Sequence, residues 1–223
     1  MRRLLPLFLF LWSFQPNLIA QNENLDSLWS VWNDISILDS TRINAMNLLA
    51  WDGYLFNKPD SAYYCASLAH DLAKKAGFEK KMAESLNTQG ASYWVRGNLA
   101  NALYYFNSSF EVYERTGDRA NSAACLNNMG VIYRSQGNNL KALNLLLKSL
   151  HIRETLKDSS RLAGVMNNVG LIYQDQEDYD NALKYYGESL KIRETLNDSN
   201  RMGGSLTNIG LILQIQEDYN EAL

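Results

Sequence analysis

The sequence predicts an all-α solenoid of stacked antiparallel helix pairs, on three observations. The chain repeats itself at a fixed period of forty residues, apolar positions inside each repeat fall at helical spacing, and the composition favours helix. Laying residues 125–164 over 165–204 without a gap gives 19 identities in 40. They include Ile152-Arg153-Glu154-Thr155-Leu156 against Ile192-Arg193-Glu194-Thr195-Leu196. The same offset carries Leu86, Asn87 and Gly90 onto Leu126, Asn127 and Gly130, then Met166, Asn167 and Gly170, then Leu206, Thr207 and Gly210. One step back reaches Met46, Asn47 and Ala50. Only 3 of 223 residues are Pro, and Leu, Ala, Asn, Ser and Tyr outweigh Val and Thr, which suits helix over strand.

Residues 1–20 read as a secretory signal peptide. Arg2 and Arg3 are the basic start, Leu4 to Phe14 an apolar core, and Gln15-Pro16-Asn17 the break before Leu18-Ile19-Ala20, with cleavage expected after Ala20. That core is shorter than the roughly 20 residues that cross hydrocarbon. Removing it takes two basic groups and leaves 19 positive and 24 negative, a net charge of −5. The expected location is the bacterial periplasm or cell envelope.

Residues 21–39 are expected to form a capping helix. Leu25, Leu28, Trp29 and Trp32 follow i, i+3, i+4, i+7, an apolar stripe suited to covering the open face of the first repeat. The rival role for the two tryptophans is a partner surface.

The array runs over 40–223, as units of about 40–78, 79–118, 119–158 and 159–198, with 199–223 a truncated fifth. In each unit a first helix (Leu126, Met129, Ile132, Tyr133) precedes a second (Leu143, Leu146, Leu147, Leu150). Breaks are expected at Gly97-Asn98, Gly137-Asn138 and Glu177-Asp178, and by the same offset Glu217-Asp218 is read as a turn. Asp118, Asp158 and Asp198 stand where the next first helix needs an N-cap. One helix pair cannot bury its apolar stripe alone, so the units must stack. Leu206, Ile209 and Leu213 have no second helix to cover them, which suggests a chain that continues beyond Leu223, or else self-association at an uncapped end.

Gly90, Gly130, Gly170 and Gly210 are each followed twelve positions later by Ala102, Ala142, Ala182 and Ala222, with Tyr93, Tyr133 and Tyr173 between. Gly costs a helix interior about 1 kcal/mol against Ala, so its recurrence asks for close helix contact. This pattern resembles the tetratricopeptide repeat. The resemblance covers residues 40–223 and implies a right-handed superhelical solenoid that binds proteins or peptides. The period is 40 where that family's common one is 34, the closing Pro is replaced by Glu154 and Glu194, and Ala50 and Gly53 stand for the Gly and Tyr of the first unit. The additional residues are expected to lengthen the second helix and its following turn.

Several chemistries find no support. The charges form no basic run, which disfavours nucleic acid. His70 and His151 fall in different units and no metal-ligand spacing occurs, the glycines match no phosphate loop, and paired acids sit at turns, so neither metal, cofactor nor catalytic residue is expected. Cys65 and Cys125 lie in non-adjacent units and read as free, buried thiols. Asn107 and Asn197 begin glycosylation sequons, short patterns that carry meaning only in a eukaryotic secretory pathway.

Asn128, Asn168 and Asn208 occupy one column of the first helix, Thr88 shares it, and Asn87, Asn127 and Asn167 stand one place before. Asn is a mediocre helix former, so such a ladder requires a cause. The resemblance implies that first helices line a concave groove where asparagine amides hold a bound peptide's main chain. The other cause is hydrogen bonding between neighbouring helices, and the sequence leaves both open. Helical spacing adds Trp94, Arg134 and Gln174 to the expected groove, with Val131, Leu171, Leu211 and Gln214. Arg134 alone would be too few cations for the family's carboxylate clamp. Two functions follow: an exported scaffold that binds a peptide or protein, or the sensory part of a longer membrane signalling protein. In the second, tethering and output, by a histidine kinase, nucleotide cyclase or transcriptional regulator, would come from a segment beyond this chain.

Overall fold

The computed structural model describes residues 18–221, with side-chain surroundings over 24–217. Most of the expected signal peptide, and Ala222, lie outside these residues. Helix α1 (Leu18–Asn33) is followed by α2 (Asp39–Leu48), which runs on as a π-helical turn over Leu49–Tyr54. Then come α3 (Pro59–Lys75), α4 (Glu79–Val95), α5 (Leu99–Arg115), α6 (Arg119–Ser135), α7 (Asn139–Thr155), α8 (Ser159–Asp175), α9 (Tyr179–Thr195) and α10 (Ser199–Glu221). There is no strand among the described residues. Each helix packs on the next, and first helices also meet across units, α2 with α4 and α6 with α8. That is an all-α solenoid of helix pairs.

From α3 onward one turn makes every connection. A residue of positive φ closes the preceding helix at Gly77, Gly97, Gly117, Gly137, Lys157, Glu177 and Asn197. At Gly97 the N–H bonds Trp94 O and the next N–H, of Asn98, reaches Tyr93 O, which satisfies the last carbonyls of α4. The side chains of Asn98, Asp118, Asn138, Asp158 and Asp178 then accept from the N–H three residues on and start the following helix. Because the same turn serves both junctions, α4 to α9 are each 17 residues long. The long period is therefore shared equally between the two helices, a correction to the expectation that the second alone is extended.

Glu217 also departs from expectation. The repeat predicts a turn at Glu217-Asp218, but α10 runs unbroken through both. The equivalent Glu177 holds φ 61° with α9 folded back on α8. For a residue with a Cβ that conformation is unfavourable by about 1–2 kcal/mol. No described helix folds back on α10, so the helical conformation wins locally.

The glycine contacts are close, but their partners are larger than expected. A Cβ at Gly90 would stand 2.9 Å from Phe106, at Gly130 2.8 Å from Leu146, and at Gly170 2.6 Å from Tyr186. Each partner lies one helical turn past the alanine of its unit, and Ala102, Ala142 and Ala182 are themselves fully buried. The missing side chain makes room for a ring or an isobutyl group. Gly210, expected to belong to this set, has nothing within 4 Å. A buried serine ties these three pairs, with Ser109, Ser149 and Ser189 donating to the carbonyls of Ala83, Ala123 and Ala163 at 2.7, 2.7 and 2.8 Å.

Helix α1 lies on the open face of the first unit. Leu25, Leu28, Trp29 and Trp32 pack against Ile43, Met46, Leu49 and Cys65. Gly53 stands in the column that holds Tyr in later units, and a Cβ there would be 2.5 Å from Leu25 Cδ2. Trp29 Nε1 donates to the Tyr54 hydroxyl at 3.2 Å, and Arg42 Nε to the Trp32 carbonyl at 2.9 Å. Both tryptophans are thus used within the chain.

Candidate functional site

The first helices α2, α4, α6, α8 and α10 carry the asparagine columns, and the structure links them across units. Asn128 Nδ2 donates to Asn87 Oδ1 at 3.4 Å, Asn168 Nδ2 to Asn127 Oδ1 at 2.8 Å, and Asn208 Nδ2 to Asn167 Oδ1 at 3.2 Å. Each rung joins a residue to one 41 positions earlier, so the ladder runs diagonally between columns. Of the two causes the sequence left open, bonding between neighbouring helices is present. Its saturation is incomplete. Asn127 Nδ2 reaches Asn128 Oδ1 at 3.5 Å, but Asn87 Nδ2, Asn167 Nδ2, Asn168 Oδ1 and Asn208 Oδ1 have no hydrogen-bond partner among the described residues. None of these atoms is among the buried unsatisfied ones, so they open to solvent.

Other expected groove residues are already engaged. Arg134 holds Asp175 in a two-pronged pair, Nε to Oδ2 at 2.6 Å and Nη2 to Oδ1 at 2.9 Å. Again the partners are 41 apart. That pair occupies the Nε/Nη2 fork of the guanidinium and offsets its charge, which weakens it as an anchor for a ligand's carboxylate. Gln174 Oε1 accepts from the Tyr186 hydroxyl at 2.7 Å. Trp94 is 43% exposed.

At the N-terminal end an open pocket of about 320 Å³ lies among the first helices and Tyr113 of α5. Asn44, Asn47, Leu48, Trp51 and Asp52 line it from the first unit, Glu84, Asn87, Thr88 and Tyr113 from the second, Asn121 and Ala124 from the third. Asn87 is the residue it shares with the expected site. The π-helical turn over Leu49–Tyr54 widens the helix where Trp51 and Asp52 face the cavity. Asn47 Oδ1 accepts from Ser85 Oγ at 2.9 Å, and its Nδ2 reaches Glu84 Oε2 at 3.4 Å. Burial, and after it the neighbouring Cys125 and Glu84, push the Tyr113 phenol far above its usual range, so Tyr113 stays a neutral wall.

The sequence profile of the tetratricopeptide repeat matches residues 81–155 and 161–223, more than half of the chain. The chain belongs to the tetratricopeptide repeat family. No protein of curated function matches it in sequence. Among solved structures, BtubC (BKLC) from P. vanneervenii is 22% identical with a TM-score of 0.65, over 80% of this chain and 74% of that one. A putative kinesin light chain from Podospora anserina with nearly identical TPR-like repeats is 15% identical, TM-score 0.64, over 81% and 90%. A signal transduction ATPase with numerous domains and a tetratricopeptide repeat sensor, from Pyrococcus horikoshii, is 13% identical, TM-score 0.73, over 86% of this chain and 30% of that one. These likenesses are of fold.

Within this tetratricopeptide repeat array, the column of Tyr113 is occupied by Arg153 and Arg193, 2% and 6% exposed. Arg153 pairs with Asp158 at 2.8 Å. Arg193 Nη1 donates to Ser205 Oγ at 3.0 Å and to the Arg201 carbonyl. Burial lowers the pKa of both guanidinium groups. Sequence reasoning did not single these out, although both lie in the repeated Ile-Arg-Glu-Thr-Leu stretch. It also missed Trp51, Asp52 and Glu84. Their signal is a difference between repeats, since Trp51 and Glu84 stand where later units have Val131 or Leu171 and Ala124 or Gly164. Among the described residues no group of three or more His, Cys, Asp or Glu could hold a metal, and no helix is long and apolar enough to cross a membrane.

Proposed function

We propose that the chain is an exported scaffold whose concave face binds an extended segment of a partner protein. The ladder's spare atoms carry this reading. Asn168 Oδ1 and Asn208 Oδ1 offer acceptors and Asn87 Nδ2 and Asn167 Nδ2 offer donors. An extended main chain presents the complementary N–H and C=O groups. The rungs hold these amides in place before a ligand arrives, which reduces the ordering entropy lost on binding. Export rests on the signal-peptide pattern of residues 1–20, with the periplasm or cell envelope as the destination.

Selection from a displayed library of random peptides tests the reading. Asn168→Ala with Asn208→Ala should raise the Kd of a selected peptide at least tenfold while the far-ultraviolet circular dichroism stays helical. Peptide binding indifferent to both substitutions contradicts it.

A second reading takes the same groove as the sensory part of a longer membrane signalling protein. What supports it is the P. horikoshii likeness, in which the repeat array is described as a sensor. A histidine kinase, nucleotide cyclase or transcriptional regulator would supply the output. Reading the coding frame past codon 223 tests it, since that output domain would have to follow.

A further inference from the structure

We infer that the N-terminal pocket of the groove takes a single basic side chain, Lys or Arg, of the bound segment. The inference rests on the groove reading above and adds the chemistry of its ligand. The pocket lies among α2, α4 and α6 and shares Asn87 with the ladder, so a main chain held by the amides can direct a side chain into it. At about 320 Å³ it is at the small end of ligand sites, suited to one long side chain.

Its lining sets the charge. Asp52 and Glu84 both face the cavity, and no Lys, Arg or His lines it. Every ion pair among the described residues involves other carboxylates, so these two are unpaired there. The Glu84 carboxylate accepts only from the Asn47 amide, at 3.4 Å. One ammonium touches the lining, that of Lys81, which donates to Asn44 Oδ1. Two carboxylates against one ammonium leave one negative charge, which one incoming cation neutralises. Trp51, 41% exposed, offers a ring face for a guanidinium or ammonium. Oδ1 of Asn121 and Oγ1 of Thr88 add neutral acceptors for its N–H groups. An acidic side chain would face both carboxylates, and an apolar one would strip them of water without a partner.

Acetylated, amidated nine-residue peptides, random at eight positions and fixed in the middle as Lys, Arg, Leu or Glu, test this with the full chain. The Lys and Arg pools should hold at least tenfold more protein than the Leu and Glu pools. Asp52→Asn with Glu84→Gln should bring that preference below twofold and leave the Leu pool unchanged, with the thermal midpoint as the check on folding. Trp51→Leu should weaken the Arg pool more than the Leu pool. Equal retention of all pools, or a basic preference that survives the double carboxylate variant, overturns the inference and leaves the groove standing. Binding of no pool, or binding that ignores Asn168→Ala with Asn208→Ala, overturns the groove reading and the inference with it.

Discussion

Asn168 donates its Nδ2–H to the Oδ1 of Asn127 at 2.8 Å, from the fourth unit to the third. The bond joins two first helices on the face where a ligand would lie, so the same amides serve the array and its surface. Asn128 and Asn168, although equivalent in the repeat, share no direct hydrogen bond and are linked only through Asn127. A double-mutant cycle of Asn127→Ala and Asn168→Ala should therefore show a coupling of about 0.5–1.5 kcal/mol in urea unfolding. The cycle of Asn128→Ala and Asn168→Ala, which share Asn127 but no bond of their own, should show a smaller coupling. The reverse order would place the rungs in one column.

The glycines of α8 separate two roles. Gly170 faces Tyr186, and an alanine there brings a Cβ to 2.6 Å from the ring of a fully buried tyrosine. Gly170→Ala should destabilise by about 1–3 kcal/mol. Gly164 has nothing within 4 Å and sits in the same helix. Gly164→Ala should stabilise by about 0.5–1 kcal/mol, since it only restricts the unfolded chain and improves helix propensity. Thermal unfolding of the two variants reads both signs.

Much of this architecture can be read from the residues. Gly90, Gly130 and Gly170 mark close helix contacts because nothing else justifies glycine inside a helix, and Asp118 and Asp158 mark helix starts because only a short acceptor side chain reaches the third N–H. The diagonal of the ladder is not readable. Aligned repeats set Asn127 beside Asn167, whereas the stacking of the units puts Asn127 beside Asn168, Arg134 beside Asp175 and Ser160 beside Arg201. The pocket is hidden for a related reason. Trp51, Asp52 and Glu84 break the repeat, so the recurring positions carry no sign of them. The turn at Glu177 is set by the packing of α9 on α8, so the same residues at Glu217-Asp218 stay helical in α10.

Three of the seven recurrent turns lack glycine. Lys157, Glu177 and Asn197 hold φ of 54°, 61° and 53°. Glu177→Gly should raise stability by about 0.5–1 kcal/mol, the relief of left-handed strain exceeding the added freedom of the unfolded chain. Gly137→Ala, at φ 75°, should lower it by about 1 kcal/mol. Equal effects at both sites would show that the turn does not control the junctions.

The two cysteines, both free and buried, make the fold sensitive to alkali. Burial pushes the Cys65 thiol up to about 12 and the Cys125 thiol up to about 11, against 9.0 for an ordinary thiol. Because the folded pKa is raised, the contribution is complete below pH 9 and is lost as pH climbs toward 11 and 12. Iodoacetamide at pH 8 should leave both thiols unmodified in the native protein and label both in urea. Rapid labelling of the native chain would place them at the surface.

The spare amide atoms are the centre of the functional account, and side-chain amide resonances of 15N-labelled protein report on them directly. On titration with a peptide selected on the groove, the Nδ2 signals of Asn87 and Asn167 should shift and gain protection from exchange with water. That of Asn168, already donating to Asn127, should keep its protection. Unmoved Asn87 and Asn167 signals in a saturated complex would contradict the account and confine the ladder to holding the units together.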